Sequence, residues 1–250
     1  MTAPVTVTDK QWAKWGETDP YRGVLGIDTS EMGDAAQKRE FFATGERDVE
    51  IVLSAIEARA PGFVAKGGTV LDFGCGVGRL MQSFGKRGFE VSGIDISPAI
   101  IEVAKKNLAE SGLSGKFYSS VDAINEQFDL VHSFIVIQHI RPVQGMGIVD
   151  SLMQRVRPGG FLAIQFTLGS LDWKRTAVNW LRYRIPLVQY AANVLRRRPV
   201  TEPVMELNTY DLHAVPKLCQ QAGIEVMSVF PHGGDFYRGV MIVGQKTVKA

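Results

Sequence analysis

The chain has 250 residues, 45% of them hydrophobic and 22% charged, with a net charge of +2, a balance that excludes disordered, fibrous and disulfide-stapled classes. A chain this long buries on the order of 70–75% of its unfolded surface, so neither a disulfide nor a metal is needed for stability. Its two cysteines, Cys75 and Cys219, make no disulfide framework and no zinc ligand set; no metal is expected, and a reducing cytoplasm fits.

In chain order, the opening MTAPVTVTDK lacks a basic n-region and an apolar h-region, so no signal peptide is expected. No apolar run reaches the roughly 18–20 residues of a membrane span. Residues 1–46 read as irregular, with Trp12, Trp15, Tyr21, Phe41 and Phe42 among polar residues and glycines, a lid or collar that packs over something. A helix follows at 47–60, with Val49, Val52, Leu53 and Ile56 at helical spacing, and Pro61-Gly62 ends it. From Thr69 short apolar runs alternate with amphipathic stretches. The runs are TVLDF, EVSGIDI, KFYSS, FDLVHSFIV and FLAIQFT; the helical stretches lie near 78–87, 98–111 and 143–157.

Fully apolar strands alternating with helices predict a parallel sheet covered on both faces. Ser97 is an N-cap with Pro98 in the first helical position; Ile100, Ala104 and Leu108 form the buried stripe, and Gly112 stops the helix. Pro158-Gly159-Gly160 is expected to end the next helix and turn into a strand. After an insertion at 168–207, a helix at 209–222 and the runs IEVMSVF and RGVMIVGQ close the chain as an antiparallel pair. The whole reads as a single domain: collar 1–60, core 68–167, insertion 168–207, closing helix and hairpin 208–250.

Val70-Leu71-Asp72-Phe73-Gly74-Cys75-Gly76-Val77-Gly78-Arg79 carries the strongest signal, a strand running into three alternate glycines and a helix. Side chains at such a turn would block a ligand from the backbone. A dinucleotide site requires G-x-G-x-x-G, but Arg79 stands at the third position, and Asp72 before the first glycine would repel a pyrophosphate. A carboxylate there suits a cationic cofactor, which favours S-adenosylmethionine over NAD. Asp95 ends the next strand about 20 residues on, where a carboxylate accepts hydrogen bonds from both ribose hydroxyls. NAD enzymes share that device, so Asp95 alone does not discriminate. Cys75, between two loop glycines and with no paired histidine, is not read as a nucleophile.

The order D-x-G-C-G-x-G-R, an acid ending the second strand, F-D-L-V leading to a histidine, and R-P-G-G before the fifth strand resembles the class I S-adenosylmethionine-dependent methyltransferases, from Val70 to Thr167. Trp12 to Gly45 also resembles the leader of bacterial members that methylate small molecules or sugars. The resemblance implies a Rossmann-like seven-stranded, mostly parallel α/β sheet with helices on both faces and an antiparallel closing strand. It further implies Asp72, Gly74 and Gly76 at the methionine part of the cofactor, Asp95 at the ribose and Ile96 on the adenine. Ser120 and Val121 would border the adenine edge, where the family often has Gly-Asp. Ser133 would lie under the cofactor, with Tyr21 and Gly45 closing over its carboxylate.

Methyl transfer to an alcohol needs an aligned nucleophile and a proton acceptor. His139 follows the fourth strand, at the carboxyl edge where ligands bind in such sheets, and is the candidate general base; the competing reading is a histidine that braces its loop. His232, Asp235 and Tyr237, around the Gly-Gly of the closing hairpin, are candidates for orienting the acceptor, although such a turn is more often only a turn. His132 reads as a satisfied core residue. The insertion carries Lys174, Arg175, Arg182, Arg184 and Arg196-Arg197-Arg198 against one acid before Pro199, interleaved with Trp173, Trp180, Tyr183 and Tyr190. It fits a substrate lid for an anionic or sugar-containing acceptor, peripheral contact with an anionic membrane, a nucleic-acid track, or a solvated helix with a homodimer face. Pro186 breaks any single long helix there. The expectation is a cytoplasmic O-methyltransferase of a small molecule, sugar or glycolipid, with no nucleic-acid partner; an N-methyltransferase or a non-catalytic binding protein remains the alternative.

Overall fold

The computed structural model describes residues 7–25, 35–170, 177–178, 180–182, 185–195, 200, 202, 205–232 and 237–248. Their centre is one seven-stranded sheet of order β3-β2-β1-β4-β5-β7-β6. The strands are β1 (Gly68–Phe73), β2 (Phe89–Ile94), β3 (Gly115–Tyr118), β4 (Phe128–Ser133), β5 (Val156–Ser170), β6 (Ile224–Pro231) and β7 (Tyr237–Lys246). Strands β1 to β5 pair in parallel, and β7 inserts antiparallel between β5 and β6. The Rossmann-like arrangement expected from the motifs is therefore present.

Alternation along the strands sends side chains to two faces. Val70, Leu130 and Ala163 enter one core with Val52 and Leu53 of α3 (Ala35–Glu57) and Phe84 of α5 (Arg79–Gly85). Their neighbours Leu71, Val131 and Ile164 enter the other core, with Val149 and Leu152 of α7 (Pro142–Gln154) and with Val215 and Cys219 of α9 (Val215–Ala222). The remaining helices are α1 (Val7–Thr18), α2 (Pro20–Leu25), α4 (Phe63–Lys66), α6 (Pro98–Glu110) and α8 (Pro186–Leu195). In α6 the Ser97 hydroxyl accepts from the Ile100 N–H, and Ile100, Ala104 and Leu108 are buried as the stripe required.

Three expectations need correction. The leader is helical where it is described: α1, α2 and the first turns of α3 occupy much of 1–46. Gly16, Gly23 and Gly45 interrupt its apolar periodicity, and tertiary packing of Phe41 and Phe42 on Val77 and Ile100 overrides weak local propensity. Pro158-Gly159-Gly160 does not end a helix. It lies within β5, where Phe128 pairs with Val156 but Leu130 with Phe161, so the run is an irregular excursion of the strand. Finally, β4 stops at Ser133 rather than continuing through Val136, because Ile135 has φ +60 and turns the chain.

Candidate functional site

The strand carboxyl ends open on a cavity of about 510 Å³, within the usual range for small-ligand pockets. Gly74 and Gly76 form part of its wall at φ +73 and +53. A Cβ on Gly74 would drive into the Val136 side chain, and one on Gly76 would lie 2.7 Å from Val24. The turn is thus a cradle that side chains would fill, which suits a ligand lying against the backbone.

Asp95 borders the cavity just beyond β2. Its Oδ2 accepts from the Gly76 N–H at 3.1 Å and its Oδ1 from the Ser97 N–H at 2.9 Å, so both oxygens are aimed while lone pairs remain for ligand hydroxyls. Burial pushes its pKa up to about 6, against the pull of these two bonds. Ile96, Ser120 and Val121 also line the cavity, Ile96 as an exposed apolar side chain.

His139 lines the same cavity from the turn after β4. Its Nδ1 lies 2.7 Å from the Glu206 carbonyl, an acceptor only, so Nδ1 carries the proton and Nε2 keeps its lone pair. Nε2 is 3.4 Å from the Gln138 amide nitrogen, and the Trp12 ring stands edge-on at 5.0 Å between centroids. Burial lowers the imidazole pKa to about 4 despite the carbonyl bond, so the ring is neutral throughout the physiological range.

Four expected cofactor contacts do not line the cavity. Asp72 is buried behind it, its Oδ1 2.9 Å from His132 Nδ1 and its Oδ2 without a hydrogen-bond partner among the described residues, so His132 is, as expected, a buried residue with its ring satisfied, here by a carboxylate. The Ser133 hydroxyl donates to the Phe73 carbonyl. Tyr21 donates to Asn107, whose amide in turn holds the Val77 carbonyl, so it ties α2 to α6. Gly45 is a helix-packing glycine: a Cβ there would come within 2.7 Å of the Arg79 carbonyl oxygen. Of the closing-hairpin candidates, His232 packs on Phe134 with ring centroids 4.6 Å apart, and burial lowers its pKa. Tyr237 is half-buried beside Gln138, and its pKa is raised chiefly by burial. Neither lines the cavity, and Asp235 lies outside the described residues.

Several cavity residues carried no clear sequence signal. Trp12 and Val24 reach in from α1 and α2; the aromatic leader hinted at them without saying where they would go. Ile135, Ile140 and Ile148 add apolar wall after β4 and on α7. Arg79 also lines the cavity, buried and ion-paired to Asp48 at 2.5 Å. Burial raises the Cys75 pKa well above its ordinary value, which fits a packing thiol rather than a nucleophile.

Comparison with known proteins agrees with this geometry. A family model described as a methyltransferase domain matches residues 46–229. The mitochondrial ubiquinone biosynthesis O-methyltransferase of Schizosaccharomyces pombe is 33% identical over 140 residues, 54% of this chain and 47% of the relative. The ribosomal protein L11 methyltransferase of Dechloromonas aromatica is 29% identical over 166 residues, 64% of this chain and 50% of the relative. The match thus spans about half the length of these curated relatives. Among solved structures, the magnesium protoporphyrin IX methyltransferase of Synechocystis with bound SAH superposes with a TM-score of 0.68 at 16% identity, covering 96% of this chain and 100% of that one, a likeness of fold. With the family matched over most of the chain and the sheet order and glycine turn in place, the protein belongs to the class I S-adenosylmethionine-dependent methyltransferases.

Proposed function

We propose that the chain binds S-adenosylmethionine and transfers its methyl group to a hydroxyl of a small acceptor with an apolar skeleton, free or lipid-linked. The observation that carries this reading is one cavity bordered by the glycine turn, the Asp95 carboxylate and the neutral His139 ring. The cofactor, when bound, supplies a sulfonium-activated methyl group. Gly74 and Gly76 leave backbone room for it, Asp95 would hold the ribose hydroxyls, and Ile96, Ser120 and Val121 would flank the base. The partnerless Oδ2 of Asp72, behind the wall, would favour a cationic group through the turn.

The chain's remaining task is to orient the acceptor oxygen and take its proton. His139 would accept the hydroxyl hydrogen at Nε2, exchanging its long contact with Gln138 for a ligand bond. Its pKa of about 4 makes it a weak base, yet a strong one is not required. An oxygen that has begun to accept a methyl cation is far more acidic than an imidazolium, so the proton moves downhill once the new bond forms. Trp12, Phe134, Ile135, Ile140 and Ile148 around the cavity suit an apolar acceptor better than a bare sugar. The S. pombe relative is by name an O-methyltransferase, which supports oxygen as the acceptor atom; the L11 relative is by name a methyltransferase of a ribosomal protein, which supports only the reaction class.

The test is calorimetric titration of S-adenosylmethionine and its demethylated product into wild type and Asp95→Ala, followed by methyl transfer to a panel of apolar phenols, alcohols and amines. Micromolar binding that weakens about 10-fold or more in the variant, with transfer to hydroxyls, supports the reading. Folded protein that binds neither ligand would sink it, and transfer to amines alone would move the acceptor to nitrogen.

A further inference from the structure

Helix α8 is built the wrong way round for a surface helix in water. Its polar residues Gln189 and Asn193, one turn apart, face inward at 6% and 0% exposure. They are fully engaged there. Gln189 accepts from Arg182 Nε at 2.8 Å and donates to Asn193 Oδ1 at 2.9 Å and to the Glu202 carbonyl at 3.2 Å. Asn193 donates to the carbonyls of Val200 and Glu202 at 3.0 and 3.2 Å. The Glu202 carboxylate lies 3.8 Å from Arg22 of α2, so the inner face is tied to the collar.

Four of the larger apolar residues, Leu187, Tyr190, Val194 and Leu195, are exposed. Leu187, Tyr190 and Val194 lie at one-turn and two-turn spacing, and Leu187 and Leu195 are 76% and 86% exposed. Trp180, before the helix, is 60% exposed. An ordinary amphipathic helix buries such a stripe and solvates its amides. Here a satisfied network of buried amides holds the stripe away from the core, which marks it as a surface that something apolar covers.

We propose that the outward face of α8 docks the protein on an anionic lipid surface. Charge decides the occupant. Besides Arg182, which is buried against Gln189, the stretch 168–199 holds in sequence Lys174, Arg175, Arg184, Arg196, Arg197 and Arg198 against Asp172 alone, and the last three arginines follow Leu195 directly. An apolar stripe flanked by basic residues is the chemistry of a helix lying in a membrane interface, with aliphatic groups among the acyl chains and cations at the phosphates. A second copy docking through the same stretch would offer these cations no acid beyond its own Asp172, so it would answer only the apolar stripe. Nucleic acid would draw on the basic residues but leaves an aliphatic stripe unused. No described helix is long and apolar enough to cross a membrane, so the contact is peripheral. The inference does not depend on which acceptor is methylated.

The experiment is sedimentation of the full chain with vesicles of phosphatidylcholine alone and of an equimolar phosphatidylcholine–phosphatidylglycerol mixture, at low and high salt. Partitioning at least about 10-fold stronger onto anionic vesicles and weakened by salt is expected. Replacing Leu187 and Leu195 together by glutamine should lower it about 10-fold while the circular dichroism and melting temperature stay at wild-type values. Absence of partitioning overturns the proposal, as does partitioning that the double variant leaves unchanged. A soluble homodimer that the double variant dissociates would also overturn it, assigning the stripe to a second copy.

Discussion

The Nδ1–H of His139 donates to the main-chain carbonyl of Glu206, 67 residues further along the chain and 2.7 Å away. This bond sets the imidazole tautomer from outside the local motif. It also couples the candidate base to the last residues of the insertion, a connection that Asn208, just beyond it, repeats through its N–H to the Gln138 carbonyl at 2.7 Å.

Replacing His139 by asparagine separates bracing from proton transfer. An asparagine amide can still donate to the Glu206 carbonyl, but it cannot take up a proton. If His139 is the base, kcat falls on the order of 100- to 1,000-fold with cofactor affinity kept. Near wild-type kcat in steady-state assays would reduce the histidine to a brace.

The rate should respond to pH in an unusual place. His139 is active when neutral, and with a pKa near 4 it is neutral from about pH 5 upward. As far as this group governs it, kcat is flat from pH 5 to 8 and shows no step near 6.5. A step near 6.5 abolished by His139→Asn would contradict the buried, neutral ring.

Two groups of the cavity pull stability in opposite directions on acidification. Between pH 6.5 and 4 the unfolded chain protonates His139 and the folded chain does not, so stability falls by about 3 kcal/mol across that window. Asp95, raised from 3.8 to about 6, holds a proton in the folded state where the unfolded state does not, so falling pH adds up to about 3 kcal/mol between 6 and 3.8. Wild type should therefore lose little from this pair. Asp95→Asn should steepen the acid loss, melt no lower than wild type at pH 7.5 without cofactor, and bind S-adenosylmethionine at least about 10-fold more weakly. Melting curves from pH 4 to 8 and titration calorimetry read both effects; parallel curves for mutant and wild type would refute the opposition.

Gly74 and Gly45 test two kinds of glycine. Gly74→Ala meets both a positive φ and the Val136 side chain, and should cost about 1–3 kcal/mol and remove most cofactor binding. The added Val136→Ala should recover part of the stability and little of the binding.

Gly45→Ala drives a methyl against the Arg79 carbonyl between α3 and α5, a clash with backbone. It should destabilise by a similar amount, about 1–3 kcal/mol, while the folded fraction keeps its affinity. Affinity lost at unchanged melting temperature would restore Gly45 as a cofactor contact.

Local chemistry wrote much of this fold openly. The strands, the Ser97 cap and the Asp95 position follow from period, capping and punctuation, because each depends on residues close in sequence. The helices of the leader did not, since Gly16, Gly23 and Gly45 lower helix propensity and only packing restores those segments. The Pro158-Gly159-Gly160 run misled for the same reason: turn chemistry is a local preference, and the neighbouring strand absorbed it.

The sequence by itself determined the glycine turn, the acid after the second strand and the sheet that presents both, because these rest on backbone conformations that few residues allow. Tertiary structure alone decided that Trp12 and Val24 wall the cavity, that Asp72 turns back to His132, and that a carbonyl at Glu206 sets the His139 tautomer. It also decided that α8 hides its amides and shows its leucines. Amphipathic spacing marks two faces on a helix but does not say which one meets the core; the partners that settle this, Val200 and Glu202, lie beyond the helix itself and reach it only when the chain has folded.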